Sequence, residues 1–144
     1  MRLKSGFTLL ESLIVLAMVG LLLTSGNLVL KNALSYQREK EFWENFDTEW
    51  KKYEQFANFE NTVTYISFNK TQEKISFNPL KASNKANYVL KLPPTLHLLS
   101  SQEVKIGNNG YVKPQSIGFH SDRDQHTYRI TIQLGWGVYH VKKE

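Results

Sequence analysis

No cysteine occurs in the 144 residues of this chain. Without thiols it can build neither a disulfide framework nor a thiolate metal centre, so any domain exposed outside a membrane has to be held together by packing alone. Histidine is sparse. His97, His120, His126 and His140 are scattered among predicted strands and turns with no paired helical spacing, so they compose no zinc set and read as surface or core side chains. No nucleophile elbow, phosphate-cradling glycine loop or pair of acids stands out, which leaves an enzymatic reading without a residue to carry it. Internal repeats and low-complexity tracts are missing too. The charge excess is small, 18 basic against 13 acidic residues for a net +5. That balance is compatible with weak attraction to nucleic acid or anionic lipid, and equally with ordinary solubility.

What the chain does have is concentrated at its start. A short basic head (Arg2, Lys4) is followed by Gly6, an aromatic residue at Phe7, one carboxylate at Glu11 and an apolar or glycine run from Leu13 to Leu23. A helix from Phe7 to Leu30 would be about 36 Å long, enough to cross a hydrocarbon core of about 30 Å. Basic residues on the short N-terminal side place that side in the cytoplasm and the long polar remainder outside. Glu11 is the anomaly. An ionised side chain near the middle of a membrane helix costs roughly 2.5 to 3.5 kcal/mol on insertion scales and less near its end, so an acid here needs a reason, and a cation close by would supply one. The plainer alternative is a signal anchor in which Glu11 sits in the first turn, where the helix macrodipole favours an anion.

Beyond Thr24-Ser25-Gly26-Asn27 the pattern becomes amphipathic. Trp43, Phe46, Trp50, Tyr53 and Ala57 recur in steps of three and four and predict a buried stripe on a helix reaching about Asn58. Glu39 and Lys40 begin what reads as a solvated side rich in opposite charges. Aromatic residues at helical spacing are core here rather than a base-stacking platform. After Asn58 the period drops to two. Strands are predicted at 62–68 and 74–77 around the turn 69–73, then at 88–92 before Pro93-Pro94, at 95–99, 104–106, 116–120, 128–134 and 138–141. A loop spans 78–87, Gly107-Asn108-Asn109-Gly110 makes a turn, and Gly135-Trp136-Gly137 a tight hairpin. Asp122-Arg123-Asp124 reads as part of a solvated turn, because an arginine between two acids, with no further acid nearby, makes a poor calcium loop. One long helix followed by antiparallel strands gives an α+β fold, with the sheet on the helix's amphipathic half.

The segment Gly6-Phe7-Thr8-Leu9-Leu10-Glu11 resembles the class III signal of type IV prepilins and pseudopilins. It lies before the apolar run, whereas an ordinary secretory signal is cut after its run and discards it. The stretch from Ile130 to Val138, preceded by a glycine-bearing strand-turn-strand from Val104 to Phe119, is similar to the end of the D-type minor pseudopilins of Gram-positive competence pili. It is less closely similar to the H-type minor pseudopilins of type II secretion. Major pilins often carry a helix-bending proline at the place where this chain has Leu28, a departure that favours a minor subunit.

The resemblance implies a leader of residues 1–6 cut between Gly6 and Phe7 by a membrane aspartyl prepilin peptidase, and N-methylation of Phe7. Loss of Arg2 and Lys4 would leave a net charge of +3 on the mature chain. It further implies a transmembrane and filament-core helix at 7–30 and an extracytoplasmic head at 31–144. Glu11 would be the assembly residue, pairing with the free amine of a neighbouring subunit's Phe7. Expected partners are the peptidase, other major and minor pseudopilins, the membrane protein of the assembly platform, and DNA through the assembled filament; no cofactor or metal is implied. The functional expectation is a minor subunit that initiates or caps a DNA-uptake pilus, exposed at the cell surface after assembly. A secretion or adhesive filament, and a DNA-binding tip module, are the alternatives.

Overall fold

The computed structural model describes residues 8–80, 87–133 and 138–144, with the side chains of 22–30 left aside. Gly6, Phe7, residues 81–86 of the expected loop and the expected hairpin at Gly135-Trp136-Gly137 lie outside the described residues. One helix, α1 (Leu9–Phe59), is followed by β1 (Thr64–Asn69), β2 (Lys74–Pro79), β3 (Tyr88–Lys91), β4 (Leu96–Leu98), β5 (Gln102–Ile106), β6 (Gln115–Ser121), β7 (His126–Ile132) and β8 (Tyr139–Lys143). The chain divides into two units, Met1–Leu34 and Ser35–Glu144.

Within Ser35–Glu144 the helical segment ends where the sequence stops supporting it. The N–H of Thr62 donates to the carbonyl of Ala57 (3.0 Å), and Asn61 takes the left-handed conformation at φ 47°. This is a Schellman-type ending with asparagine in the place more often held by glycine. Phe46, Trp50, Tyr53 and Ala57 of the expected stripe are buried, Phe42 joins them, and Trp43 is half-buried at its edge.

The strands alternate inward and outward as period two requires. β1 buries Thr64, Ile66 and Phe68, and β2 buries Ile75, Phe77 and Pro79. Register pairs these residues across the sheet: Ile66 lies opposite Phe77 on one side and Val104 on the other. Slipping β1 by one residue would turn its apolar set toward solvent, which is why this pairing is specified. The β1–β2 turn closes on Asn69, whose Oδ1 accepts the N–H of Gln72 at 2.9 Å. At the predicted turn after β5, the N–H of Gly107 donates to the carbonyl of Tyr111 (2.8 Å), and Gly110 sits at φ 75°, a conformation other residues rarely adopt.

The antiparallel layer is divided rather than continuous. One sheet has the order β3-β2-β1-β5 and the other β4-β6-β7-β8. The chain leaves the first sheet after β3, places β4 in the second, and returns for β5. Pro93 and Pro94 stand at the departure, where a residue that cannot donate to a ladder ends β3. Rings of α1 touch both sheets: Phe46 lies 6.2 Å from Phe68 and Tyr53 5.1 Å from Phe77 in the first. Trp43 lies 5.2 Å from Phe119 and Trp50 5.2 Å from Tyr139 in the second. Phe68 and Phe119 meet at 6.4 Å, so one core serves the helix and both sheets.

Candidate functional site

In the unit Met1–Leu34, Thr8 caps α1. Its Oγ1 accepts the backbone N–H of Glu11 at 3.3 Å, and its carbonyl accepts the N–H of Ser12 at 3.2 Å. Thr8 and Glu11 therefore hold the N-cap and N3 positions of a capping-box sequence, with the acid in the first turn where unsatisfied N–H groups present positive charge. The Glu11 side chain is exposed, and no ion pair to it occurs among the described residues. The proposed processing pair, Gly6 and Phe7, lies outside the described residues.

Among the described residues, the apolar side chains that flank and follow Glu11 are exposed. Leu9, Leu16 and Leu21 are 84%, 75% and 69% exposed, and Leu13, Ile14, Val15, Met18 and Val19 are exposed beside them. A helix apolar on all sides requires lipid or other protein around it. Among the described residues no helix is long and apolar enough to cross a membrane.

The head contains a polar cluster that corrects two expectations from the sequence. Glu39, read as the start of the solvated side, is 3% exposed. One of its oxygens accepts the hydroxyls of Thr95 (2.6 Å) and Ser121 (2.8 Å), and the other accepts Nε of Arg123 at 3.0 Å. The turn holding Arg123 and Asp124 is not simply solvated either. The Arg123 guanidinium lies 5.3 Å from the Tyr36 ring centre and donates to Asp124 at 3.2 Å. Asp124 also accepts the Tyr128 hydroxyl at 2.7 Å and pairs with Lys143 at 2.9 Å. Glu39 thereby ties α1 to β6 and to the segment before β4, and Arg123 extends the tie to the β6–β7 turn.

The electrostatics follow from those contacts. Burial raises the Asp124 pKa, but hydrogen bonds from Lys143 and Tyr128 and the charge of Arg123 outweigh it, so the carboxyl sits well below the usual carboxylate range. Burial, with the adjacent Asp124 carboxylate, pushes the Tyr128 hydroxyl up to about 12. Every charged group is matched, and the cluster acts as a clamp. The signal for Glu39 was present in the sequence: it precedes Phe42 and Trp43 by three and four residues, in step with the buried stripe.

The remaining candidates stay dispersed. No group of three or more acids or histidines among the described residues is arranged to hold a metal ion. Several basic residues spread along the head are committed to ion pairs, as Arg129 is to Glu144 at 3.0 Å, while Lys74 stands opposite Lys91 across β2 and β3.

Residues 1–26 match the prokaryotic N-terminal methylation motif. Among curated proteins none matches the chain. In fold the chain is similar to the minor pseudopilin EpsH from the Type 2 Secretion System of Vibrio cholerae, with a TM-score of 0.57 and 15% identity over 73% of this chain and 96% of that one. At that identity the likeness establishes a pilin-like α+β fold. The two likenesses are independent: one is to the methylation signal at the start of the chain and the other to the pilin-like fold.

Proposed function

We propose that this chain is a minor pseudopilin of a type IV pilus-like competence machine, helping to initiate or cap a thin filament used for DNA uptake in transformation. The carrying observation is the methylation motif at 1–26, which leads into a helix with an acid in its first turn and apolar side chains exposed around it. In this reading residues 1–6 are a leader, and 7–30 form a single membrane pass before assembly and the filament core after it. Residues 31–144 form the extracytoplasmic head. The role is structural, with prepilin peptidase, other pseudopilins and the assembly platform as partners and Glu11 paired with a neighbour's Phe7 amine. The competence assignment rests on the resemblance of the last third of the sequence. A secretion filament is the second reading, favoured by the fold likeness to EpsH.

The test is mass spectrometry of protein isolated from native membranes, with transformation and protein secretion measured in a deletion strain. The expected results are N-methylated Phe7 as the first residue, a precursor that stays uncut in Gly6→Leu, and lost DNA uptake with normal secretion. Intact Met1, or a cut after Leu23, would refute the prepilin reading. Normal uptake with lost secretion would move the protein to the second reading.

A further inference from the structure

His97 lies in β4, an edge strand of the second sheet. Its Nδ1 is 3.3 Å from Oε1 of Glu73 at the end of the β1–β2 turn, and its Nε2 is 3.1 Å from Oδ2 of Asp122 in the β6–β7 turn. Both neighbours are carboxylates that only accept, whereas a neutral imidazole carries one N–H. Only the imidazolium can donate to both. Glu73 is itself held in place: its Oε2 accepts the backbone N–H of Leu98 at 3.3 Å, and its carbonyl accepts the N–H of Leu92 at 2.9 Å. The Asp122 N–H donates to the carbonyl of Thr95 at 2.8 Å. The ring therefore sits between fixed carboxylates, one from each sheet's turns.

We propose that His97 is a proton-dependent clip between the two sheets, holding the edge strand β4 to the β1–β2 turn as an imidazolium and releasing one of its two bonds when it loses the proton.

The surrounding charges agree with this. His120, the cross-strand partner of His97, has Nε2 3.7 Å from Oδ1 of Asp122. Lys70 donates to the carbonyl of Leu99 at 3.2 Å. Arg123, next to Asp122, is committed to Glu39 and Asp124. Lys74 follows Glu73 on β2, facing Lys91 across the strand pair. Burial lowers the His97 pKa, but the hydrogen bonds and charges of Glu73 and Asp122 outweigh it and hold the value above that of an ordinary histidine. A raised histidine pKa contributes stability that is complete below the unfolded value of about 6.5 and is lost as pH rises through the folded one. The side chain is 40% exposed, so solvent screens the pair and the effect is local to β4 rather than global.

The full-length protein in detergent micelles tests this by NMR titration of the histidine rings and a pH series of hydrogen exchange at the Leu98 amide, corrected for intrinsic base catalysis. His97 should titrate above about 6.5. Leu98 protection should fall about twofold to tenfold across that titration, the worth of one hydrogen bond. His97→Gln should abolish the step, Glu73→Gln should lower the ring's pKa, and His120→Gln should leave both unchanged. A ring titrating at or below the ordinary value, a step that survives in His97→Gln, or a step lost in His120→Gln would overturn the proposal. Should His97→Gln fail to fold, the wild-type titration and Glu73→Gln still decide it.

Discussion

Replacing Glu39 with alanine should destabilise the head far more than its place among charged residues suggests. The carboxylate is 3% exposed and accepts three donors, from Thr95, Ser121 and Arg123. Removing one member of a buried pair costs roughly 3 to 5 kcal/mol, because the remaining charge stays buried without its partner. The Arg123 side chain is 21% exposed and keeps Asp124, so it recovers part of that loss. Ser121 is fully buried and recovers less, since an orphaned buried polar group costs about 1 to 3 kcal/mol. Together these place Glu39→Ala at about 3 kcal/mol or more, a large fraction of the 5 to 15 kcal/mol that holds a typical domain folded. The assay is urea unfolding of the full chain in micelles followed by tryptophan fluorescence, with exposed Glu44→Ala as the control. Glu39→Ala with Arg123→Ala should fall short of the sum of the single changes by about 0.5 to 3 kcal/mol. A Glu39→Ala effect within about 0.5 kcal/mol of wild type, as for an ordinary surface position, would refute the clamp and restore the solvated reading.

Two further outcomes are expected. Glu11→Val should be inserted and cut after Gly6 but fail to co-isolate with other pilus subunits, and Glu11→Gln should fail likewise if charge matters, since an unpaired ammonium would be left in a low-dielectric surround; normal assembly by Glu11→Val would leave the carboxylate only its helix-capping role. A chain starting at Leu28 should be soluble and cooperative, whereas one starting at Thr62 should not fold. The second loses Phe46, Trp50 and Tyr53 from the core, each worth roughly 3 to 5 kcal/mol on truncation; equal stability of the two in urea would show that the helix does not build the core.

The sequence by itself determined what depends on local order. The prepilin-like motif, the acid at Glu11 in the first turn, and the apolar run are contiguous, so their chemistry is legible without a fold. The aromatic stripe and the strands were legible for a related reason: periods of 3.6 and 2 report which face of an element is buried, and core and solvent enforce them residue by residue. Sequence reasoning placed Phe46, Trp50, Tyr53 and Ala57 inside on that basis. It misjudged Glu39, because periodicity treats a carboxylate as a solvent marker, and the donors that make its burial tolerable are 56 to 84 positions away in the chain. The division into two sheets was likewise decided by tertiary structure. The switch of β4 to the second sheet depends on whether Leu96 and Leu98 fit better beside β6 than beside the β3 they follow, a comparison between distant surfaces. The meeting of His97 with Glu73 and Asp122 was settled the same way. Each residue alone is an ordinary turn or strand side chain, and only the packing of one sheet's turn against the other sheet's edge places an imidazole between two acceptors.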